Sequence, residues 1–578
     1  MIFEDAIMYV SKLMDYNLFH TKLIDYIKNK FSKKGEAIVN ANIGAIESVK
    51  SSIEEIVLTN RKEEQTTKYS NIYEAIFKRE GNKLPTSSFL SIANGTVDPS
   101  TSKLCNGATS EFVPSYIKDN CINCNQCTLA CPHSVIRSYL LSSDEYEKAP
   151  EYVKKNCKPA IGLDNFYFTI GISIKNCTGC GLCINTCPGL RGVKALTPNK
   201  YSESVKENIQ EAFDYLDQNI TKKDVVNTNT IKGLGFVKPK FEYCGACAGC
   251  GEAAYIKILT QLFGDNLVVA NATGCSSIYG GSMPSTPYNI PWASSLFEDN
   301  AEYGYGMLMS NNVIRNRIKN IMENNMDNPN KELFTKWIEN SNDYKITKEV
   351  SDKLTSDIPE ELKKLKDYIP SRNYWCIGGD GWAYDIGFSG IDHVLASGEN
   401  INILVLDTEV YSNTGGQSSK SSNIGSIASF TSSGKKTNKK DLARIAMSYK
   451  NVYVAQISLG SNMMQVIKTL KEANDYPGPS IVIAYSPCIS HGIKGGMNNS
   501  LNIGKLAVDC GYFLTFRRNP NTGFTLDSKN VDFTKYDEFL SLQTRYSMLK
   551  SVNPNEAEKL LEENKKNAME KFEYYSNL

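Results

Sequence analysis

The chain has 578 residues, room for two or three domains at about 100–200 residues each. Lys plus Arg (64) balance Asp plus Glu (63), which points neither to nucleic acid nor to an anionic membrane, and no apolar stretch reaches the roughly 20 residues of a membrane helix. With only four histidines (His20, His133, His393, His491), acid–base work has few of its usual carriers, and a cofactor that brings its own chemistry is favoured.

The opening MIFEDAIMYV lacks the basic segment and long apolar core of a signal peptide, so the seventeen cysteines are read as reduced thiols of a cytoplasmic protein, with an anaerobic organelle as the other compartment. Residues 1–65 read as helical and polar, the end of a preceding domain. Residues 84–114 are rich in Pro, Ser, Thr and Gly and read as linker and turns. Residues 1–110 are thus expected to be the remnant of a preceding domain with its linker.

A module over 111–200 follows. Cys121-x-x-Cys124-x-x-Cys127-x-x-x-Cys131-Pro132 recurs as Cys177-x-x-Cys180-x-x-Cys183-x-x-x-Cys187-Pro188, the run of a two-cluster bacterial ferredoxin in which the fourth cysteine crosses to the other cluster. One cubane then takes Cys121, Cys124, Cys127 and Cys187, and the other takes Cys177, Cys180, Cys183 and Cys131. Structural zinc also uses Cys-x-x-Cys pairs, but with a longer loop between them, and a disulfide framework belongs to small secreted domains. An α+β ferredoxin-like fold is expected here, with an insertion loop carrying Asp144–Lys148 between its halves.

From residue 201 to 578 short apolar runs alternate with helical stretches: Leu267–Ala270, Tyr374–Ile377, Ile401–Leu406, Val452–Ala455 and Ile481–Tyr485. That alternation predicts an α/β domain with a parallel sheet buried on both faces. A charged stretch over about 313–368 reads as a solvated helical insertion. Cys247 and Cys250 precede a helix, while Cys275 and Cys488 follow strand ends, where the loops of an open sheet converge. Four thiolates could meet there; Cys275 and Cys488 could equally be ordinary buried cysteines. Cys105, Cys157, Cys244, Cys376 and Cys510 show no ligand pattern, with Cys244 the doubtful one. At the end of the Tyr374–Ile377 strand stands Gly378-Gly379-Asp380-Gly381, and after the next strand comes Asp407-Thr408-Glu409-Val410-Tyr411-Ser412-Asn413. Glycines that let amides reach phosphate, a helix N-terminus and a carboxylate with neighbouring oxygens suit a magnesium-bound diphosphate, as in thiamine diphosphate enzymes.

The segments FEYCGACAGCGE, NATGCSSIYGG, PWASSLFEDNAEYGYGM, GGDGWAYDIG, LDTEVYSNTGGQ and YSPCISHG closely resemble pyruvate:ferredoxin (flavodoxin) oxidoreductase, and the likeness runs from KKGEAIVNANIGAIESV (33–49) to the C-terminal helix. The resemblance implies a third [4Fe–4S] cluster on Cys247, Cys250, Cys275 and Cys488. It implies Mg²⁺ on Asp380, Thr408 and the Val410 carbonyl. Thiamine diphosphate would be lined by Glu252, Cys275, Gly379, Asp380, Gly381 and Trp382, together with Thr408, Glu409, Val410, Tyr411, Ser412 and Asn413, the last assisting catalysis. Cys244 stands where the family's serine is expected, which leaves it open as an alternative ligand.

The implied reaction makes acetyl-CoA and CO₂ from pyruvate and CoA and hands electrons to ferredoxin or flavodoxin. The family's aminopyrimidine-binding domain and its activating glutamate are not visible in residues 1–110, so a separate or truncated N-terminal half is expected to complete the enzyme, which would be a homodimer. Another 2-oxoacid as substrate, or an electron-relay module without turnover, are the alternatives.

Overall fold

The computed structural model describes residues 1–32, 35–55, 71–105, 107–220, 225–281 and 284–578. Of the stretch read as helical, residues 33–34 and 56–65 lie outside the described residues, as does Asn106 of the expected linker. Two compact units divide at Ser70 and Asn71. In the first, helices Ile2–Ser11, Tyr16–Phe31 and Glu36–Glu47 bury Leu23, Ile27 and Ile46 on one another. Asp15 starts the second helix by accepting a hydrogen bond from the Leu18 amide at 2.8 Å.

The second unit runs from Asn71 to Leu578. Its first strands are β1 (Phe112–Tyr116), β2 (Ile136–Ser142), β3 (Lys158–Pro159), β4 (Phe166–Ile172) and β5 (Leu196–Lys200). β1 pairs antiparallel with β5, and β2, β4 and β3 form a second antiparallel sheet in that order. Between them the short helices Gln126–Ala130 and Leu182–Thr186 pack together, each leading from its triplet of cysteines to the fourth. The expected loop around Asp144–Lys148 is instead the helix Ser143–Lys148, begun by a Ser142–Glu145 capping box. The expected linker is also partly built into the fold. The Ser100 amide donates to the Tyr288 carbonyl, Ser102 Oγ donates to the Glu242 carbonyl at 2.7 Å, and Ser102 is fully buried.

Eight strands form the large sheet: β6 (Leu267–Ala272), β7 (Trp292–Ser295), β8 (Asn373–Gly379), β9 (Asn402–Asp407), β10 (Tyr453–Ile457), β11 (Ser480–Tyr485), β12 (Phe516–Asn519) and β13 (Gly523–Leu526). Their order is β13-β12-β10-β11-β9-β8-β6-β7, parallel from β10 to β7, with an antiparallel β12–β13 hairpin on one edge. Every residue of β6, β9, β10 and β11 is buried, because helices cover both faces; apolar clusters form on each side, with Val405 and Ile483 in one and Leu404 and Val482 in the other. All five strands expected from the apolar runs are present. β7 and the β12–β13 hairpin were not expected, since they are short or only partly buried and carry polar residues. The charged helical stretch lies between β7 and β8, starts at Asn300 rather than 313, and has its own core around Phe334, Trp337, Val350 and Leu362.

Candidate redox and cofactor site

Four neighbouring strands, β11, β9, β8 and β6, deliver the site from their carboxyl ends. β6 runs through Thr273 and Gly274 into Cys275; β8 ends at Gly379 and is followed by Asp380; β9 ends at Asp407 and is followed by Thr408–Asn413; β11 leads to Pro487 and Cys488. Parallel strands open their loops at one edge, so residues far apart in sequence become neighbours. After β8 the chain enters a π-helical turn, Gly381–Ile386, of the kind concentrated at functional sites.

The Thr408 hydroxyl sits 2.9 Å from Asp380 Oδ1, 3.0 Å from the Val410 carbonyl and 2.9 Å from Ser412 Oγ. An octahedral Mg²⁺ shell at 2.0–2.1 Å places neighbouring oxygens about 2.9 Å apart, so these spacings fit its edges. Ser419 Oγ donates to Asp380 Oδ2 at 2.5 Å and fixes the carboxylate from behind. Burial, and then the nearby Asp407, push Asp380 up to about 8, because its negative charge has lost water beside another carboxylate. The donor set therefore fits a divalent cation. A Cβ on Gly381 would lie 2.3 Å from the Tyr411 ring, which explains glycine there.

Other expected lining residues turn elsewhere. The Trp382 indole packs in the core against Gly378 and Gly387 and is fully buried. Glu409, held at φ +59°, buries its carboxylate away from the cluster of oxygens, taking Lys439 at 2.8 Å, Arg545 at 2.8 Å and the Tyr512 hydroxyl at 2.6 Å. Sequence reasoning missed Ser419, Lys439 and His491. His491 is buried and joins β11 to β9. Its Nε2 meets the Thr408 carbonyl at 2.7 Å, and its Nδ1 accepts from the Cys488 amide at 3.4 Å. Burial, then Arg545, hold His491 down at about 3, so it is neutral and donates through Nε2.

The cysteines of the two ferredoxin-like runs gather in two groups. Cys121, Cys124, Cys127 and Cys187 wall one cavity, with Tyr116 and Phe168; Cys131, Cys177, Cys180 and Cys183 wall another, with His133, Ala248 and Met497. Thiols set around a cavity in this way suit a cubane cluster. The other four also come together. Burial, then Glu252, Cys488 and Cys247, push the Cys275 thiol up, and burial, Glu252 and Cys488 do so for Cys250. Glu252 is buried, accepts from the Tyr279 hydroxyl at 3.1 Å, and is pushed by burial up to about 7. Asn413 is exposed, with its amide within reach of Cys275. Cys244 turns away instead, its Sγ 3.6 Å from the Pro132 carbonyl. Cys157 and Cys510 donate to backbone carbonyls within their own turns.

One residue joins the two halves of the site. Ser412 Oγ lies 2.9 Å from the Thr408 hydroxyl and 3.4 Å from Cys488 Sγ, so the oxygen cluster and the third thiol set are in contact.

Residues 363–484 match the model of the thiamine pyrophosphate enzyme C-terminal TPP binding domain, and residues 120–190 match the 4Fe-4S dicluster domain. A pyruvate-flavodoxin oxidoreductase from Klebsiella pneumoniae is 37% identical over all of this chain and 52% of its own length, and a pyruvate:ferredoxin oxidoreductase from Moorella thermoacetica is 39% identical over 96% of this chain and 51% of its own. Along nearly its whole length the chain is similar to pyruvate:ferredoxin (flavodoxin) oxidoreductases. It spans about half the length of the curated relatives it matches. A relative named pyruvate dehydrogenase [NADP(+)], mitochondrial, from Euglena gracilis, is 38% identical over 86% of this chain and 29% of its own length. Among solved structures, a 2-oxoglutarate:ferredoxin oxidoreductase from Magnetococcus marinus aligns over 43% of this chain and 65% of its own at 16% identity and a TM-score of 0.28, too slight a likeness to carry an argument. With both family models matched, thiamine diphosphate and iron–sulfur clusters are this chain's cofactors. Among the described residues no helix is long and apolar enough to cross a membrane.

Proposed function

We propose that this chain is the redox and diphosphate-binding half of an enzyme converting pyruvate and CoA to acetyl-CoA, CO₂, a proton and two electrons, the electrons leaving singly for ferredoxin or flavodoxin. The observation that carries this reading is Ser412, whose hydroxyl touches both the Asp380–Thr408 oxygen cluster and Cys488. An oxidation on thiamine diphosphate needs an electron acceptor close by, and the third thiol set adjoins the oxygens that would hold the cofactor's diphosphate. When bound, thiamine diphosphate supplies the decarboxylation chemistry and [4Fe–4S] clusters accept electrons one at a time.

The chain's own residues hold and orient. Asp380, Thr408 and the Val410 carbonyl would hold Mg²⁺, with Ser419 fixing the carboxylate. The backbone of Gly379–Gly381 would lie along the diphosphate, and at Gly381 a Cβ would collide with the Tyr411 ring. Cys247, Cys250, Cys275 and Cys488 would hold the third of three [4Fe–4S] clusters, with Glu252, Ser412 and Asn413 beside it. The organisation that fits is a remnant and linker over 1–110, the ferredoxin-like domain over 111–200 and the thiamine diphosphate domain over 201–578. A second half, supplied as another chain or as the rest of a longer one, would grip the aminopyrimidine, and the completed enzyme would be a cytoplasmic homodimer.

The test is turnover. Holding both ends of a cofactor is worth orders of magnitude in rate. The chain alone is expected to show negligible pyruvate-dependent reduction of a viologen dye, and addition of the complementary half is expected to restore turnover that depends on CoA. Robust CoA-dependent turnover by residues 1–578 alone would overturn the half-enzyme reading.

A further inference from the structure

Lys257 lies in the helix Ala253–Phe263 and is 1% exposed. Its Nζ reaches into the ferredoxin-like part and donates to the carbonyls of Thr128, of Leu129 at 2.7 Å and of Cys131 at 2.7 Å. An ammonium has three N–H donors, and here all three are spent on backbone oxygens. Those oxygens stand in and just after the helix Gln126–Ala130, the segment that joins Cys127 of the first thiol set to Cys131 of the second. Lys257 therefore sits on the bridge between the two ferredoxin-like sets.

Among the described residues Lys257 forms no ion pair with a carboxylate, and the ionisable groups that bear on it most are the thiols of Cys131, Cys127 and Cys244 and the guanidinium of Arg137. The buried Arg137 makes the contrast clear, since it is neutralised by Glu242 and by Asp217 at 2.6 Å. A buried ammonium without a counterion is costly. Carbonyl dipoles at a helix C-terminus offset part of that cost. The remaining counter-charge available to Lys257 is the anionic thiolate sets themselves.

We propose that Lys257 is a built-in positive charge that raises the reduction potentials of the clusters on the first and second thiol sets more than that of the third. Reduction adds negative charge to a cluster, and a cation close by in a poorly screened interior stabilises the reduced form. The effect is one-sided. Lys257 is hydrogen-bonded to the segment linking Cys127 and Cys131, and the thiols that bear most on it are Cys131, Cys127 and Cys244, none of them from the third set. That difference favours the passage of electrons from the third cluster into the pair. This rests on the cluster reading above, and the two can fail separately.

The experiment uses the full chain, purified anaerobically, with iron and sulfide analysis followed by redox titration monitored by EPR. Lys257→Gln removes the charge but keeps two N–H donors for the carbonyls, and Lys257→Arg keeps the charge. The expected result is full iron content in both, a downward shift in the potentials of the ferredoxin-like pair in the Gln variant, a smaller shift at the third cluster, and near-native values in the Arg variant. Unchanged potentials in a fully loaded Lys257→Gln protein would overturn the proposal. Loss of iron from the Gln variant would overturn it too, because Lys257 would then be a brace for the cluster loop. Failure of the unaltered chain to hold iron–sulfur clusters would sink the cluster reading instead.

Discussion

Gly251 and Pro487 meet backbone to backbone: the Gly251 amide donates to the Pro487 carbonyl at 3.2 Å, and a Cβ on Gly251 would lie 2.5 Å from that same oxygen. The contact seats Cys250 beside Cys488, which come from segments far apart in sequence. Gly251→Ala is expected to push the two loops apart and cost the third cluster alone. Iron content should fall by about one third while the EPR signals of the ferredoxin-like pair persist, because their ligand sets are local to 121–187. Equal loss from all three clusters, or none, would contradict this assignment.

Asp380 and Ser419 give a second test. Ser419 contributes no ligand but holds Asp380 Oδ2, and residues that orient a metal ligand typically account for about 10–100-fold in metal affinity. Ser419→Ala is expected to weaken Mg²⁺-dependent thiamine diphosphate binding by about that factor, and Asp380→Asn by more, with the visible absorption of the clusters unchanged in both. Titration by tryptophan fluorescence or calorimetry measures it; undiminished affinity in Asp380→Asn would remove Asp380 from the site.

These residues differ in how far the sequence reveals them. The first two thiol sets are legible because cubane ligation is written in spacings of three and four residues. The third set was ambiguous, since Cys275 and Cys488 meet only through the strand order β11-β9-β8-β6. Ser419 and Lys439 carried no signal: they stand in a loop after the diphosphate motif, and only folding brings Ser419 to Asp380 and Lys439 to Asp407. Lys257 looks like an ordinary charged position in AAYIKILTQLF, a helix that proves to be buried nearly all round, which a single-face pattern cannot show. The central strands were readable as apolar runs; the β12–β13 hairpin was not, because its half-buried edge carries Arg517, Arg518 and Asn519.

Asp217 supplies a pH-dependent test away from the cofactor groups. Burial raises its carboxyl, but Arg137 and Lys238 together outweigh burial and bring it below the ordinary value. A depressed folded pKa contributes stability that is present above the unfolded value of about 3.9 and is lost as pH falls through the folded one. Asp217→Asn should therefore destabilise the chain at pH 7 by about 1–3 kcal/mol, the worth of a charged hydrogen bond. The gap between variant and unaltered protein should shrink below about pH 4. Anaerobic denaturant unfolding at pH 7 and pH 4 checks the sign.

Glu409 is the counter-charge for two buried cations, Lys439 and Arg545. Removing one partner of such a group leaves charge uncompensated and costs about 3–5 kcal/mol. Glu409→Gln is expected to lower stability by that order in thermal or denaturant unfolding, with the iron content of the folded fraction unchanged. A neutral outcome would remove Glu409 from that role.

The cavity of the second thiol set has walls from segments far apart in sequence: Cys177, Cys180 and Cys183 on one side, Ala248, Met497 and Asn498 on the other, with the Asn185 side chain donating to the Asn498 carbonyl at 2.8 Å. A cluster held there would rest against segments far apart in sequence, so loading it and packing Ala248, Met497 and Asn498 onto the 177–185 loop would depend on each other.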